Sequence, residues 1–257
     1  MTEFKNIHSH LAFLKKHLVQ IFDSMENKKG YSKWTYKMFE SYLKQYSNKI
    51  DGKNVSYVYD ANDSRFHKMN ENSEVEKDEK GNPVFDEELF VKTCRTKFLG
   101  DAFELFVAMA LTFDEHAQNY GIIENTYWFS DDDEDLGTDA TGTLGGGNNS
   151  PAFIQCKFRQ HPQPNPKPLD NEVYSKLFCN ASLYHGYDMN NASHKLIFAT
   201  NTSWRFAMTL PFKKEIGFTE NNGTYVTTKG VLMDLEQWQR ITDKQSAFWH
   251  RFHEYVK

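Results

Sequence analysis

The run Asp135-Leu136-Gly137-Thr138-Asp139-Ala140-Thr141-Gly142, followed after a turn by Ala152-Phe153-Ile154-Gln155-Cys156-Lys157-Phe158-Arg159, decides the fold. Both halves read as strands. Between them Gly142, Gly145, Gly146, Gly147, Asn148, Asn149 and Ser150 supply a hairpin connection that folds the second strand back on the first. That return can bring Asp139 beside Gln155. Alternation along the second strand puts Gln155 and Lys157 on one face and Cys156 on the other.

An aspartate, an amide oxygen and a lysine gathered at two strand ends have a chemical use. A hard divalent cation prefers carboxylate and carbonyl oxygens and keeps several waters. It lowers the pKa of one water, orients it and stabilises charge developing on a phosphate. A lysine beside it acts as a point charge on the water or the phosphate. The same residues also suit an ordinary hairpin with a partly exposed Asp and Lys. A short motif does not decide between the two.

The flanking sequence adds weight. In Lys97-Phe98-Leu99-Gly100-Asp101-Ala102-Phe103-Glu104-Leu105-Phe106-Val107-Ala108-Met109-Ala110-Leu111 the apolar residues recur at helical spacing and predict a well-buried helix. Glu104 lies inside it. An unpaired buried carboxylate is costly, so it should reach a cation or a polar cleft; a local ion pair on the helix face is the plainer alternative. Downstream, Leu196-Ile197-Phe198-Ala199-Thr200-Asn201-Thr202 predicts a buried strand ending in hydroxyl and amide groups. Val231-Leu232-Met233-Asp234-Leu235-Glu236-Gln237-Trp238 predicts a strand running into a helix.

With these residues in place, the chain resembles the Mrr-type branch of the PD-(D/E)xK restriction-endonuclease-like nuclease superfamily. The family pattern is a helix with Gly-x-x-Phe-Glu, a strand ending in Gly-x-Asp, a strand with Gln/Glu-x-Lys, a helix, a strand ending in Thr-Asn or Thr-Thr, and a last strand with an acidic residue. These elements fall here on Gly100 to Glu104, Gly137 to Asp139, Gln155 to Lys157, Thr200-Asn201 and Val231 to Asp234. The Ile-Gln-Cys-Lys-Phe-Arg stretch looks especially like nuclease modules fused to large viral and bacterial helicases. The resemblance covers roughly residues 95–240. It implies an α/β fold with a restriction-endonuclease-like core, a central mixed sheet flanked by helices, to which this chain adds an N-terminal helical region. It further implies Asp139, Gln155, Lys157 and Glu104 as catalytic residues, and Asp139, Gln155, Cys156 and Glu104 as positions around the metal. The cofactor would be Mg²⁺, with Mn²⁺ as the alternative. Arg159, Thr200, Asn201 and Lys167 are the candidate DNA contacts. The family's matching glutamate points into the site, which sets Glu104 within about two hydrogen-bond lengths of Asp139 or Lys157. Gln155 departs from the superfamily's commonest pattern, an acidic residue, and leaves one fewer carboxylate for the metal.

Composition fits an enzyme of this kind. The 257 residues allow one large domain, or a core with a smaller addition, and 15% aromatic residues can fill a substantial core. No apolar run reaches the roughly 18 residues of a membrane span, and Met1-Thr2-Glu3-Phe4-Lys5-Asn6 has no signal-peptide core. Cys94, Cys156 and Cys179 form no ligand cluster; so sparse and odd a count reads as reduced thiols in a cytoplasmic protein. His161, just after the motif strand, reads as a solvated loop residue. The net charge of −5 is unevenly spread: +4 over residues 1–60, −13 over 61–139, +4 over 140–215 and zero over 216–257. The acidic stretch includes Asp131-Asp132-Asp133-Glu134-Asp135 beside the proposed metal site, a run that also suits a solvated loop. The basic segments can line a phosphate-tracking groove, although the overall charge speaks against tight nonspecific DNA binding.

The chain divides into an N-terminal helical region (1–60), a polar loop or linker (61–91), the nuclease core (92–240) and a C-terminal helix packed on it (241–257). Apolar stripes predict helices over about 4–25 and 31–48. Lysines 15, 16, 28, 29, 33, 37 and 44 among their aromatics suit either a DNA-contacting face or two amphipathic helices packed on the core. Within the core the pattern predicts a helix over 92–113, strands over 121–129, 138–143 and 152–159, a helix over 171–186, strands over 195–200 and 230–234, and one final helix over 235–256. His161 to Pro168, rich in proline, should form a loop at the mouth of the site.

The expected function is a divalent-metal-dependent DNA endonuclease of restriction, phage-defence or phage-attack type. The alternatives are a structure-specific repair or recombination nuclease, resolvase-like, or a non-catalytic DNA-binding module on the same fold. DNA is the expected partner, no membrane is involved, and a homodimer would let two sites cut both strands.

Overall fold

The computed structural model describes residues 11–50, 70–72, 74–84, 86–113, 128–129, 138–144, 150–159, 171–203, 219–221, 224–226 and 230–257. The expected strand over 121–129 lies mostly outside these, as do the hairpin turn at 145–149, the acidic run at 131–135 and the proline-rich loop with Lys167.

Helix α1 (Leu11–Glu26) turns Leu11, Leu14, Leu18, Ile21, Phe22 and Met25 inward, the i, i+3, i+4 stripe of an amphipathic helix. A short 3-10 turn (Tyr31–Lys33) leads to α2 (Tyr36–Ser47), which starts at Thr35, whose side chain accepts from Met38 N–H at 3.1 Å. Helix α3 (Glu87–Phe113) is 27 residues long. Between Phe98 and Leu111 it is buried nearly all round, as an apolar helix at the centre of a protein must be. It begins at Glu87 rather than at 92.

The sheet contains β1 (Trp128–Phe129), β2 (Ala140–Leu144), β3 (Ser150–Lys157), β4 (Lys195–Thr200), β5 (Thr219–Asn221), β6 (Thr224–Val226) and β7 (Gly230–Met233), in the order β1-β2-β3-β4-β7-β6-β5. Strands β2 and β3 are the antiparallel hairpin read from the sequence, with Ala140 opposite Ile154. Strands β3, β4 and β7 run parallel, so the protein is mixed α/β with a mixed sheet flanked by helices. Their apolar runs fit strands covered on both faces. The small antiparallel addition of β5 and β6 is not foreseen by the sequence pattern.

Period-two alternation sorts the strands onto two faces. Ala152, Ile154, Cys156, Ile197, Ala199, Val231 and Met233 join one cluster with α1, α2 and α3 and with the last two helices, α5 (Leu235–Thr242) and α6 (Ser246–Val256). Phe153, Leu196, Phe198 and Leu232 join a smaller one, closed by Leu177 and Ala181 of α4 (Asn171–Tyr184). Phe106 lies at the centre of the larger cluster, with Phe39, Trp238 and Phe248 at 5.6, 5.7 and 5.9 Å between ring centroids. The N-terminal helices are thus built into the same core as the sheet. Their apolar faces pack into this core, while Lys16, Lys28, Lys29, Lys33 and Lys37 stay exposed.

The single final helix expected over 235–256 is two helices. Asp243 is extended and Lys244 has φ +62°. Two long-range bonds account for the break: Asp243 Oδ1 accepts from Tyr36 N–H at 2.8 Å, and Lys244 N–H donates to Trp34 C=O at 2.8 Å. Among the described residues, no helix is long and apolar enough to cross a membrane.

Candidate active site

Strand β2 begins just after Asp139, which faces the C-terminal half of β3. The Asp139 main-chain N–H donates to Ile154 C=O at 2.9 Å. Its Oδ2 accepts both the side-chain amide N–H of Gln155 and the main-chain N–H of Cys156. The hairpin therefore joins the two residues as their spacing demands. Gln155 is only 2% exposed and Lys157 is half-buried, opposite Thr200 on β4. With its amide nitrogen turned to Asp139, Gln155 keeps Oε1 as the atom a cation could use.

Glu104 comes from α3, the helix on the Cys156 face of the sheet. Its carboxyl is held well above the usual carboxylate range. Burial is the main cause; the Asp139 and Asp101 carboxylates push the same way, and the Lys97 and Lys157 ammonium groups oppose them. Asp139 and Lys157 both act on the Glu104 charge from across the start of β2 and the end of β3. The same groups act on the Cys156 thiol. Burial, then Asp139 and Glu104, raise its pKa far above that of a free thiol, against Lys157. Its side chain belongs to the core cluster and stays protonated. The thiol faces the core, so a hard ion at this position would meet Cys156 through its main chain.

Two residues that sequence reading passed over join this group. Asp101, 4% exposed, pairs with Lys97 at 3.6 Å. Lys97, Asp101 and Glu104 stand at i, i+4 and i+7, one face of α3. That spacing is the signal the sequence carries for them, set within an otherwise apolar helix.

Two of the candidate DNA contacts are corrected. Asn201 is 0% exposed and Thr200 1%. Thr200 C=O accepts from the Trp238 indole N–H at 2.9 Å, and Asn201 is engaged inside the protein. Hydroxyl and amide side chains at the end of a buried strand must satisfy their own polar atoms there, and neither side chain reaches a surface that DNA could touch. Arg159 is half-buried just past the end of β3. Asp234, the acidic residue of the last strand, caps α5: its Oδ1 accepts from Gln237 N–H at 3.1 Å.

The atom types present are those that a hard divalent ion takes. They are carboxylates at Asp139 and Glu104 and an amide oxygen at Gln155. The charge that burial and like neighbours make costly on Glu104 is the charge a cation would offset. Asp139 would ligate through Oδ1, or share Oδ2, which accepts from two N–H groups.

A second grouping with metal-capable side chains is Asp23, Glu26 and His253, their ligand atoms within 4.8 Å of one another. The His253 ring is fully buried, and its two nitrogens face different partners. Nε2 lies 3.1 Å from Asp23; Nδ1 lies 2.7 Å from the Tyr31 hydroxyl and 3.6 Å from Glu26. The imidazole bridges α6 to α1 through both nitrogens, which is the geometry of a structural tie.

Compared with protein-family models, curated proteins and solved structures, the chain matches none.

Proposed function

We propose that this protein is a divalent-metal-dependent DNA endonuclease that hydrolyses phosphodiester bonds, with a restriction-endonuclease-like site of the Mrr type at the ends of β2 and β3. The observation that carries the reading is the junction at the ends of β2 and β3, where Asp139 is hydrogen-bonded to both Gln155 and Cys156 at the head of the Gln-x-Lys triplet. Glu104, whose charge Asp139 and Lys157 act on, adds a second carboxylate from a different element.

In this reading Asp139 and the Gln155 amide oxygen hold the ion, with Glu104 bound to it directly or through a water. Bound there, Mg²⁺ or Mn²⁺ would supply an activated water and neutralise charge on the scissile phosphate. Lys157 places its ammonium at the attacking water or at a non-bridging phosphate oxygen, where negative charge grows in the transition state. Arg159, two residues on, meets the phosphate backbone on the exit side of β3. Because Gln155 brings no charge, Glu104 and Asp139 supply the negative charge between them.

A non-catalytic DNA-binding module is the second reading, favoured by one observation: Oδ2 of Asp139 is already engaged by two N–H donors. Supercoiled plasmid, linear duplex and branched DNA, each incubated with Mg²⁺, Mn²⁺ or EDTA, separate the two. Divalent-dependent cleavage supports the nuclease, and the preferred substrate distinguishes restriction-type from resolvase-type action. Binding without cleavage in every condition refutes it.

A further inference from the structure

Beyond the end of β3, Asn201 does the work of a missing strand residue. The parallel ladder between β3 and β4 ends with Lys157 opposite Thr200. Past that rung the Asn201 side chain takes over. Its Oδ1 accepts from Arg159 N–H at 2.6 Å, and its Nδ2 donates to Arg159 C=O at 2.8 Å. One side-chain amide thus pairs with both main-chain groups of Arg159, as a peptide in a neighbouring strand would. The same Nδ2 donates to Glu40 Oε1 of α2 at 2.9 Å, and that oxygen also accepts from Lys44 Nζ at 2.6 Å. Lys44 Nζ in turn lies 5.4 Å from the centre of the Phe158 ring. Phe158 packs on Phe103, the residue before Glu104, at 5.7 Å between centroids.

Asn201 bonds the backbone of Arg159 directly, and Glu40, Lys44 and Phe103 engage Asn201 and the Phe158 ring in turn. This chain of contacts also costs something. Asn201 is 0% exposed and Glu40 is 8% exposed, and a buried carboxylate is a weak source of stability compared with an apolar side chain of similar size. A polar tie retained at that cost, spanning α2, α3 and the ends of β3 and β4 around one lysine, suits positioning better than bulk stabilisation.

We propose that Asn201 and Glu40 are positioning residues that set the direction of Lys157, so that the N-terminal helical region is part of the scaffold of the site. This rests on the nuclease reading for its functional consequence, though not for its geometry. In Asn201→Ala the backbone at 158–159 loses its partner and the Lys157 ammonium wanders.

The test combines two measurements on the full chain. The first is single-turnover cleavage of plasmid at saturating DNA and Mg²⁺. Asn201→Ala should slow it about tenfold to 100-fold, since small misplacements of a catalytic group are costly, with DNA affinity little changed. In a Lys157→Ala background the same substitution should cost nothing more, because a residue acting through Lys157 has nothing left to act on. Glu40→Gln keeps an acceptor for Asn201 and should restore much of what Glu40→Ala loses. The second is the rate of reductive methylation of Lys157, read by mass spectrometry against exposed Lys29 as internal control. It should rise several-fold in Asn201→Ala and in Glu40→Ala.

If wild-type protein cleaves nothing while Lys157 reactivity still moves, the positioning stands and the nuclease reading falls. If Lys157 reactivity is unchanged in folded Asn201→Ala, the proposal is overturned. A slowing that multiplies with that of Lys157→Ala overturns it equally. Where Asn201→Ala does not fold, the Glu40 pair decides on the same two measurements.

Discussion

Replacing Glu104 by Gln should move the protein in two opposite directions. Burial first, then Asp139 and Asp101, raise the Glu104 carboxyl above its usual range. A carboxyl raised in the folded state costs stability above its unfolded value, and the cost is relieved as pH falls from its folded value to the unfolded one. The local charges are Asp101, Glu104 and Asp139 against Lys97 and Lys157, a net of −1 that the substitution brings to zero. Unit charges about 4 Å apart interact by about 4 kcal/mol at the screening of a protein surface. The two lysines cancel most of the repulsion, leaving about 1 kcal/mol, or about 2–4 °C of Tm for a chain of this size. Without metal, Glu104→Gln should therefore melt higher than wild type, and the gain should vanish in acid. With metal the sign reverses. Loss of one carboxylate should weaken the ion about tenfold. At an ion concentration of about 100 times the wild-type Kd, stabilisation would fall from about 2.7 to about 1.4 kcal/mol. Thermal melts with EDTA and across a Mg²⁺ or Mn²⁺ titration read both effects. A Glu104→Gln protein that melts lower in EDTA, with an unchanged ion response, would return Glu104 to a local helix-face ion pair and refute the reasoning.

Three further outcomes are expected. Lys157→Ala should lower the single-turnover cleavage rate by about 100-fold or more with modest loss of DNA affinity; a loss of binding with an unchanged rate would make the lysine a phosphate contact only. Gln155→Glu should retain cleavage and lower the metal concentration needed, whereas an inactive, folded Gln155→Glu would show that the site uses the amide N–H that Asp139 now accepts. Burial, then Lys257, depresses the pKa of His253 below 6.5, against Asp23 and Glu26, and burial depresses His17 likewise. Their contribution to stability is present above about pH 6.5 and lost as pH falls through the folded values. Tm should drop between about pH 7 and pH 5.5, and His253→Gln should flatten that slope; an unchanged slope would sink the assignment.

What the sequence made legible was local. Asp139 meets Gln155 because a glycine-rich connection and a period of two leave a returning strand little choice, and Glu104 stood out as a charge inside an apolar helix. What stayed hidden depends on partners far along the chain. Asn201 reads as a strand-end contact because Glu40 is 161 positions away. The break at Asp243-Lys244 carries no Gly or Pro signal; it comes from bonds to Tyr36 and Trp34, more than 200 positions distant. Asp234 reads as acidic chemistry and serves as a helix cap, since a strand running straight into α5 places it where the first N–H groups need an acceptor. The strands at 219–221 and 224–226 are too short to show a period.

Plasmid cleavage by wild type and by Asp139→Ala, with Asp139→Asn as the variant that keeps an acceptor for Gln155 and Cys156, tests the central claim most directly. The account predicts cleavage by wild type in Mg²⁺ or Mn²⁺, none in EDTA, and none by either folded variant in any condition. Undiminished cleavage by a folded Asp139 variant, or a wild-type protein that cuts no supercoiled, linear or branched DNA with either ion, would contradict it.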